Sequence, residues 1–318
     1  MKKLYLFLFV LLITFGVQVK AQERIIYDQY HFNYYLINPA VAGADKCSHI
    51  MLTTKNDWIG IDGPSTQTLS FRTRLTDHNI GLGGYIYNDK TPSFSNFGGQ
   101  FTFAYHIPMS NGGRYSKNVM LDRQLSFGVS VKVNQISYTA QGTGALINDP
   151  ANVSFSEISP NANFGVYYVS YGFFTGLSVT NMIPFQMLNY GLQEPVDPAT
   201  AFLFVGNTFD LGGNKSLEPS VNFNYNTYTN KQVELNLKYS QNNPDNDFGF
   251  WTQLSYRHNL DSGSGQPLSL IPMAGFRAGK FQMAYAFNYT LNGLASFNYG
   301  THEFMLAYTF CVPKVFCR

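Results

Sequence analysis

An all-β chain forming a transmembrane antiparallel β-barrel of about 14 strands, with a short N-terminal plug segment, is expected from three features of this 318-residue sequence. Its beginning reads as an export signal. Its composition is aromatic and poor in charge. Its hydrophobicity alternates residue by residue over stretches long enough to cross a bilayer.

The export signal comes first in the chain. Lys2 and Lys3 precede an apolar run from Leu4 to Val17, and Val19-Lys20-Ala21 supplies a small residue at the cut. That order of charge, apolar core and small residue marks a secretory signal peptide. The core is shorter than the roughly 20 apolar residues of a spanning helix, so residues 1–21 are expected to be cleaved after Ala21. No cysteine stands at the cut, which argues against a lipid anchor. Without Lys2, Lys3 and Lys20 the 21 basic residues become 18 against 19 acidic ones, a net charge of −1. No basic run interleaved with aromatics occurs, and no nucleic acid is expected as a partner.

Charged residues are 13% of the chain, about half of what ordinary soluble domains carry. Aromatics reach 16%, with 28 Phe and 22 Tyr. After Val17 no apolar run approaches helix-spanning length. An exported chain of this kind solves the bilayer with strands, because a closed barrel pairs every backbone polar group without water. The expected location is the outer membrane of a Gram-negative cell, with its lipid as the surrounding solvent.

Residues 22–46 precede the first strand and contain FNYYLINPAVAGADK at 32–46. Tyr27, Tyr30, Phe32, Tyr34 and Tyr35 fit a short amphipathic turn or helix that Pro39 ends, since a proline disfavours helix at the residue before it, Asn38. Gly43 follows as a turn residue. These side chains need cover from water, and the barrel lumen is nearest; the segment is therefore read as a plug, with a docking strip for periplasmic components as the other reading.

Residues 47–318 form the barrel. Leu125, Phe127, Val129, Val131 and Val133 alternate with Ser126, Gly128, Ser130, Lys132 and Asn134. Val233 to Tyr239 and Phe281 to Tyr289 repeat the pattern against Gln232 to Lys238 and Gln282 to Asn288. Period two is the strand period, and nine to eleven residues suit a tilted membrane strand. Strands are expected near 48–56, 65–75, 79–88, 97–107, 124–136, 161–169, 171–180, 199–210, 217–226, 230–240, 248–257, 268–277, 280–290 and 301–310. The apolar face is outside, because a barrel this wide cannot fill its interior with its own side chains.

With both ends in the periplasm, the outward connections are 57–64, 89–96, 137–160, 181–198, 227–229, 258–267 and 291–300. The inward ones include 76–78, a tight junction at Ser170, and 278–279. The inward connection 108–123 is long and carries Arg114, Lys117 and Arg123. In the outward loops, Trp58 and Gly60 stand one step past the first strand, where Trp58 is expected to join the interfacial girdle. Ile183, Phe185, Met187 and Leu188 form an apolar stretch costly to leave in water, hence a candidate partner loop.

Chemistry is sparse. No nucleophile elbow, P-loop or His-Glu-x-x-His occurs, and the six histidines lack ligand spacing. His302 and Glu303 read as interfacial. No enzyme activity, metal or cofactor is expected. Arg72, Arg74, Lys132, Glu234, Lys238 and Arg257 face inward without a single-sign constriction, which weakens a general porin. Cys47 precedes the first strand, Cys311 follows the last, and Cys317 lies six residues on. First and last strands pair in a closed barrel, so the three thiols share one rim in an oxidising compartment. A seam disulfide from Cys47 to Cys311 or Cys317 and a local Cys311–Cys317 loop are equally compatible.

FNYYLINPAVAG (32–43), WIGIDGPSTQTLSF (58–71), NDKTPSFSNFGGQFTFAYHI (88–107), SPNANFGVYY (159–168) and YGTHEFMLAYTF (299–310) resemble, in order, the PorP/SprF family of the Bacteroidota type IX secretion system. Asn38, Pro39, Gly43, Trp58 and Gly60 carry part of that match; the tail CVPKVFCR departs from it. The resemblance implies an outer-membrane barrel working with secretion components at the periplasmic face. It also implies a role in secreting or anchoring large adhesins with a C-terminal sorting domain, and in gliding motility. It brings no catalytic or binding residues. Asn38-Pro39-Ala40 also resembles the plug of long-chain fatty-acid transporters, which implies an alternative: a passive channel for small apolar molecules.

Overall fold

The computed structural model describes residues 30–75, 79–109, 123–139, 154–183, 199–226, 230–243, 247–261 and 265–311. Residues 1–21, read above as a signal peptide, residues 22–29, most of loops 109–122 and 139–154, Phe185, Met187, Leu188 and Cys317 lie outside them. The strands are β1 Cys47–Asn56, β2 Ser65–Arg74, β3 Ile80–Lys90, β4 Phe94–Pro108, β5 Arg123–Tyr138, β6 Phe155–Ser170, β7 Phe173–Thr180 and β8 Thr200–Asn207. Then follow β9 Phe209–Gly212, β10 Lys215–Asn226, β11 Asn230–Asn243, β12 Phe248–Asn259, β13 Gln266–Ala278, β14 Phe281–Thr290 and β15 Thr301–Cys311.

Each strand pairs antiparallel with its sequence neighbours, except that β8 and the short β9 both lie along β10 and together make one stave of the wall. β1 pairs with β15 in unbroken register from Cys47↔Cys311 to Asn56↔His302. The 15 strands thus close into a barrel with 14 wall positions. Closure removes every sheet edge, which is what a strand-built membrane protein requires. No described helix is long and apolar enough to cross a membrane.

Side chains follow the alternation. On β5, Val129, Val131 and Val133 are exposed while Ser130, Lys132 and Asn134 are buried, and Val131 reaches 64% exposure. On β14, Phe281, Met283 and Tyr289 face out while Ala284 and Ala286 face in. Against water such an apolar outer surface would be a liability; against lipid it is the ordinary barrel exterior.

Several boundaries differ from the sequence reading. β5 reaches Tyr138 and β6 starts at Phe155, so the expected outward loop 137–160 shrinks to 139–154, and the two strands, at 16 residues each, outrun the bilayer. Pro160 sits inside β6 on its outward face. Ser170 ends β6, and the tight turn is Tyr171-Gly172, with φ of 47° and 95°. Two positive φ values match the right-handed twist of the flanking strands.

The rim bearing Cys47 and Cys311 is called the terminal rim here, and the opposite one the far rim. Connections at the far rim are mostly the longer ones, including 57–64, 139–154, 181–199 and 291–300.

Candidate functional site

The lumen is occupied by the chain itself. Residues 30–46 enter from the terminal rim as three short 3₁₀ turns, Tyr30–Phe32, Tyr34–Leu36 and Pro39–Val41. Pro39 opens the third turn instead of ending a helix. Asn38 is extended, and its side-chain Oδ1 accepts the Ala40 N–H at 2.9 Å as an N-cap. Proline at the first position loses no hydrogen bond there.

These turns lack a ladder, so their carbonyls need partners from elsewhere. The wall supplies them. Ser178 Oγ donates to Ile37 O at 2.6 Å, the Arg72 guanidinium to Val41 O at 3.4 Å, and Gln124 Nε2 to Ala44 O at 3.2 Å. His106 Nε2 lies 2.9 Å from Ala42 O, which makes Nε2 the protonated nitrogen and Nδ1 the acceptor of the Ser126 hydroxyl at 2.8 Å. Asn38 Nδ2 donates to Val166 O at 3.0 Å and Leu177 O at 3.4 Å.

Two glycines let this contact happen. Gly128 and Gly165 are direct cross-strand partners on the inner face of β5 and β6. A Cβ on Gly165 would stand 2.0 Å from Asn38 Oδ1, and one on Gly128 would stand 2.3 Å from Ala40 N. The pair forms a dent in which Asn38-Pro39-Ala40 seats. Gly43, at φ 68°, lies equally close to the wall: its own Cβ would meet Thr73 O at 2.6 Å.

Aromatic packing completes the seal. Tyr35 is fully buried, and its hydroxyl lies 2.8 Å from Thr102 Oγ1. Tyr34 stacks on Phe204 with centroids 4.4 Å apart. Across the lumen, Phe32 stacks on Trp251 at 3.7 Å while Lys238 Nζ lies 4.8 Å from its other side. Each such aromatic contributes about 2 kcal/mol through burial alone. Tyr30 reaches deepest, donating to Glu234 Oε1 at 3.0 Å. Burial, with the Glu234 carboxylate second, pushes the Tyr30 hydroxyl well above its ordinary pKa. Burial likewise pushes Tyr35 up to about 12. Both phenols therefore remain donors at any physiological pH.

At the terminal rim, Asp45 Oδ2 lies 2.9 Å from His49 Nε2 and 3.4 Å from Arg72. Burial alone would raise this carboxyl, but the Arg72 charge and then His49 outweigh it and hold it at about 2. Cys47 and Cys311 are joined by a disulfide across the seam, their Cα atoms 4.2 Å apart.

The inward charges are matched locally. Arg257 lies 2.7 Å from Glu234, Lys238 lies 3.7 Å from Glu218, and Arg74 donates to Gln124 at 2.7 Å. Lys132 donates to Asn181 Oδ1 at 3.3 Å. Glu303 is buried in the lumen rather than interfacial, while His302 on the outer face bonds the Tyr285 hydroxyl.

Trp58 departs from its expected place in the girdle. Its backbone is left-handed at φ 48°, and the half-buried residue is part of the lining of a cavity at the far mouth. Gly60, at φ 105°, lies against the Tyr299 ring. Ile183 keeps an exposed side chain, while Asn161 bonds both its N–H and its carbonyl.

The sequence reading missed His106, Gln124, Ser178 and the Gly128/Gly165 pair. A usable signal existed: glycines at lumen-facing positions of adjacent strands, beside large polar residues near one rim.

Comparison with known proteins agrees with this architecture. No curated protein sequence matches. A solved monoaromatic hydrocarbon channel, CymD, superposes with a TM-score of 0.51 at 11% identity, over 90% of this chain and 93% of its own. A FadL homologue of Pseudomonas aeruginosa gives a TM-score of 0.46 at 10% identity, over 86% of this chain and 92% of its own. At such identity the CymD likeness speaks for an outer-membrane barrel fold and nothing finer. Residues 19–308 match the family described as type IX secretion system membrane protein PorP/SprF. With the barrel, its plug and a match over most of its length, the chain belongs to the PorP/SprF family of type IX secretion system membrane proteins.

Proposed function

We propose that this protein is a non-enzymatic barrel that supports the export, the surface anchoring, or both, of large adhesins bearing a C-terminal sorting domain. Its periplasmic face engages other secretion components, and its clients serve adhesion and gliding. The observation that carries this reading is the filled lumen. Residues 30–46 are bonded to β2, β4, β5, β6, β7 and β11, so the segment is fastened across the lumen on most sides. A barrel sealed by its own chain acts through its rims, as a platform in the membrane.

A passive channel for small apolar molecules fits less well. Toward the far mouth the inner wall presents Asn224, Asn226, Asn288 and Thr290, a poor path for an apolar solute.

The test is purification of the intact complex from outer membranes, paired with uptake into liposomes. The expected result is co-purification with a sorting-domain adhesin or type IX components, and liposomes that stay tight. Robust fatty-acid or sugar flux with no such partner would overturn the reading.

A further inference from the structure

Beyond the plug, the lumen widens at the far mouth into a cavity of about 170 Å³ between β1, β2, β3, β11–β15 and the loops 57–64 and 291–300. We propose that this cavity is a binding site for one neutral sugar ring, either a free monosaccharide or the terminal unit of a glycan. The inference does not depend on the adhesin reading.

Size sets the first limit. The space is smaller than the roughly 300–1,000 Å³ of pockets for drug-sized ligands and suits a single six-membered ring with its hydroxyls.

Charge sets the second. Lys55 Nζ lies 3.0 Å from Asp57 Oδ1, Arg257 pairs with Glu234, and the Thr66 hydroxyl donates to Asp89 at 2.6 Å. Each wall charge already has an opposite charge or a donor beside it. An ionic ligand would have to break such a pair, which is costly in a buried site. A neutral ligand would not.

The third observation points to a ligand directly. Ser269 and Thr290 are cross-strand partners on β13 and β14, facing the cavity at 4% and 7% exposure. Neither hydroxyl has a hydrogen-bond partner among the described residues, and neither oxygen is fully enclosed, so both open onto the cavity and are free to bond a ligand held there. Beside them, Asn292 uses its Oδ1 to cap Leu294 N–H and Gln232 uses its Oε1 to accept from Asn224, leaving both NH₂ groups as donors. Two hydroxyls and two amide donors around one space match the rim of a sugar.

Trp58 supplies the other half. Its backbone is held by an N–H bond to Thr301 Oγ1 at 3.2 Å, and Ile59 N–H bonds Gly300 O at 2.9 Å. Trp58 lines the cavity, its indole is the large aromatic surface there, and a pyranose has an apolar C–H face opposite hydroxyl edges.

The test is calorimetric titration of the full chain, folded in detergent, with glucose, galactose, mannose and N-acetylglucosamine up to millimolar concentration, and with oligosaccharides ending in each. Saturable binding of at least one is expected. Trp58→Ala, and Ser269→Ala with Thr290→Val, should each weaken it by about tenfold or more while keeping the heat-shifted gel mobility of a folded barrel. Should either variant misfold, saturation transfer from the wild-type protein to the sugar C–H protons gives the same answer. Equal affinity for monosaccharide and oligosaccharide assigns the site to a free sugar; tighter oligosaccharide binding assigns it to a glycan end. No saturable binding, affinity unchanged in folded variants, or preference for acetate, phosphate or methylammonium over every sugar would overturn the proposal.

Discussion

Near the terminal rim the lumen wall presents Ala104, Tyr167, Val169, Phe174 and Phe204; toward the far mouth it presents Thr66, Asn134, Ser159, Asn226 and Asn288. The change happens within single strands. Along β6 the inward residues run Ser159, Asn161 and Asn163, then Gly165, Tyr167 and Val169. The outer face shows no such switch along the stretch that lipid surrounds, where Val129, Val131 and Val133 all point outward. Along β6 the inner-face chemistry follows the occupant: glycine and bulky side chains where residues 34–40 pack, amides and a hydroxyl where the space is open, while β2, β4 and β5 carry the polar fastenings Arg72, His106 and Gln124 at the level of the plug. Barrel strands with one uniform outer face carry two different inner programmes.

Three perturbations break or sharpen that contrast. The largest effect is expected for Cys47→Ser. The disulfide closes a sequence separation of 264 residues, and its loss should cost about 4 kcal/mol. Hydrogen exchange should rise at the terminal ends of β1 and β15 and stay unchanged at Lys55 and Glu303; a uniform rise would mean the two halves are one cooperative unit. Next is Gly165→Val, whose side chain would occupy the place of Asn38 Oδ1. Displacing the plug should cost about 3 kcal/mol and turn a silent barrel into one with discrete conductance steps in planar bilayers. A silent Gly165→Val variant with the plug still protected from protease would show that the dent is dispensable.

The smallest effect concerns pH. Asp45 is held at about 2, below its ordinary 3.8. A depressed carboxyl stabilises the folded state above its unfolded value, so the contribution is complete above pH 5 and is lost as pH falls through 3.8 toward 2. It amounts to about 2 kcal/mol. Melting curves of wild type and Asp45→Asn should converge at the acid end of that window and separate above it. Parallel curves would remove Asp45 from the account.

Much of the wall was legible because lipid imposes a simple rule on one face, which residues 125–133 and 281–289 obey without exception. β6 was harder. Ser159 and Pro160 have turn chemistry, and only pairing with β5 across Val133↔Pro160 keeps them in a strand. Trp58 was misread since nothing in its neighbours signals a left-handed backbone at a bulky residue. The plug was legible as a need for cover, but its fastenings were not: Tyr30 and Glu234 are 204 residues apart, and their contact depends on the closed cylinder. The unpaired hydroxyls of Ser269 and Thr290 look in sequence like any inward polar residues.

The stitched seam has one further consequence. In a barrel whose first and last strands are held by backbone hydrogen bonds alone, the wall can part there and release a passenger sideways into lipid. Here Cys47–Cys311 makes the wall a covalent hoop at its terminal edge. A lateral gate between β1 and β15 is shut for as long as the bond lasts, and anything that passes between this barrel and its surroundings meets it at a mouth and not through this seam.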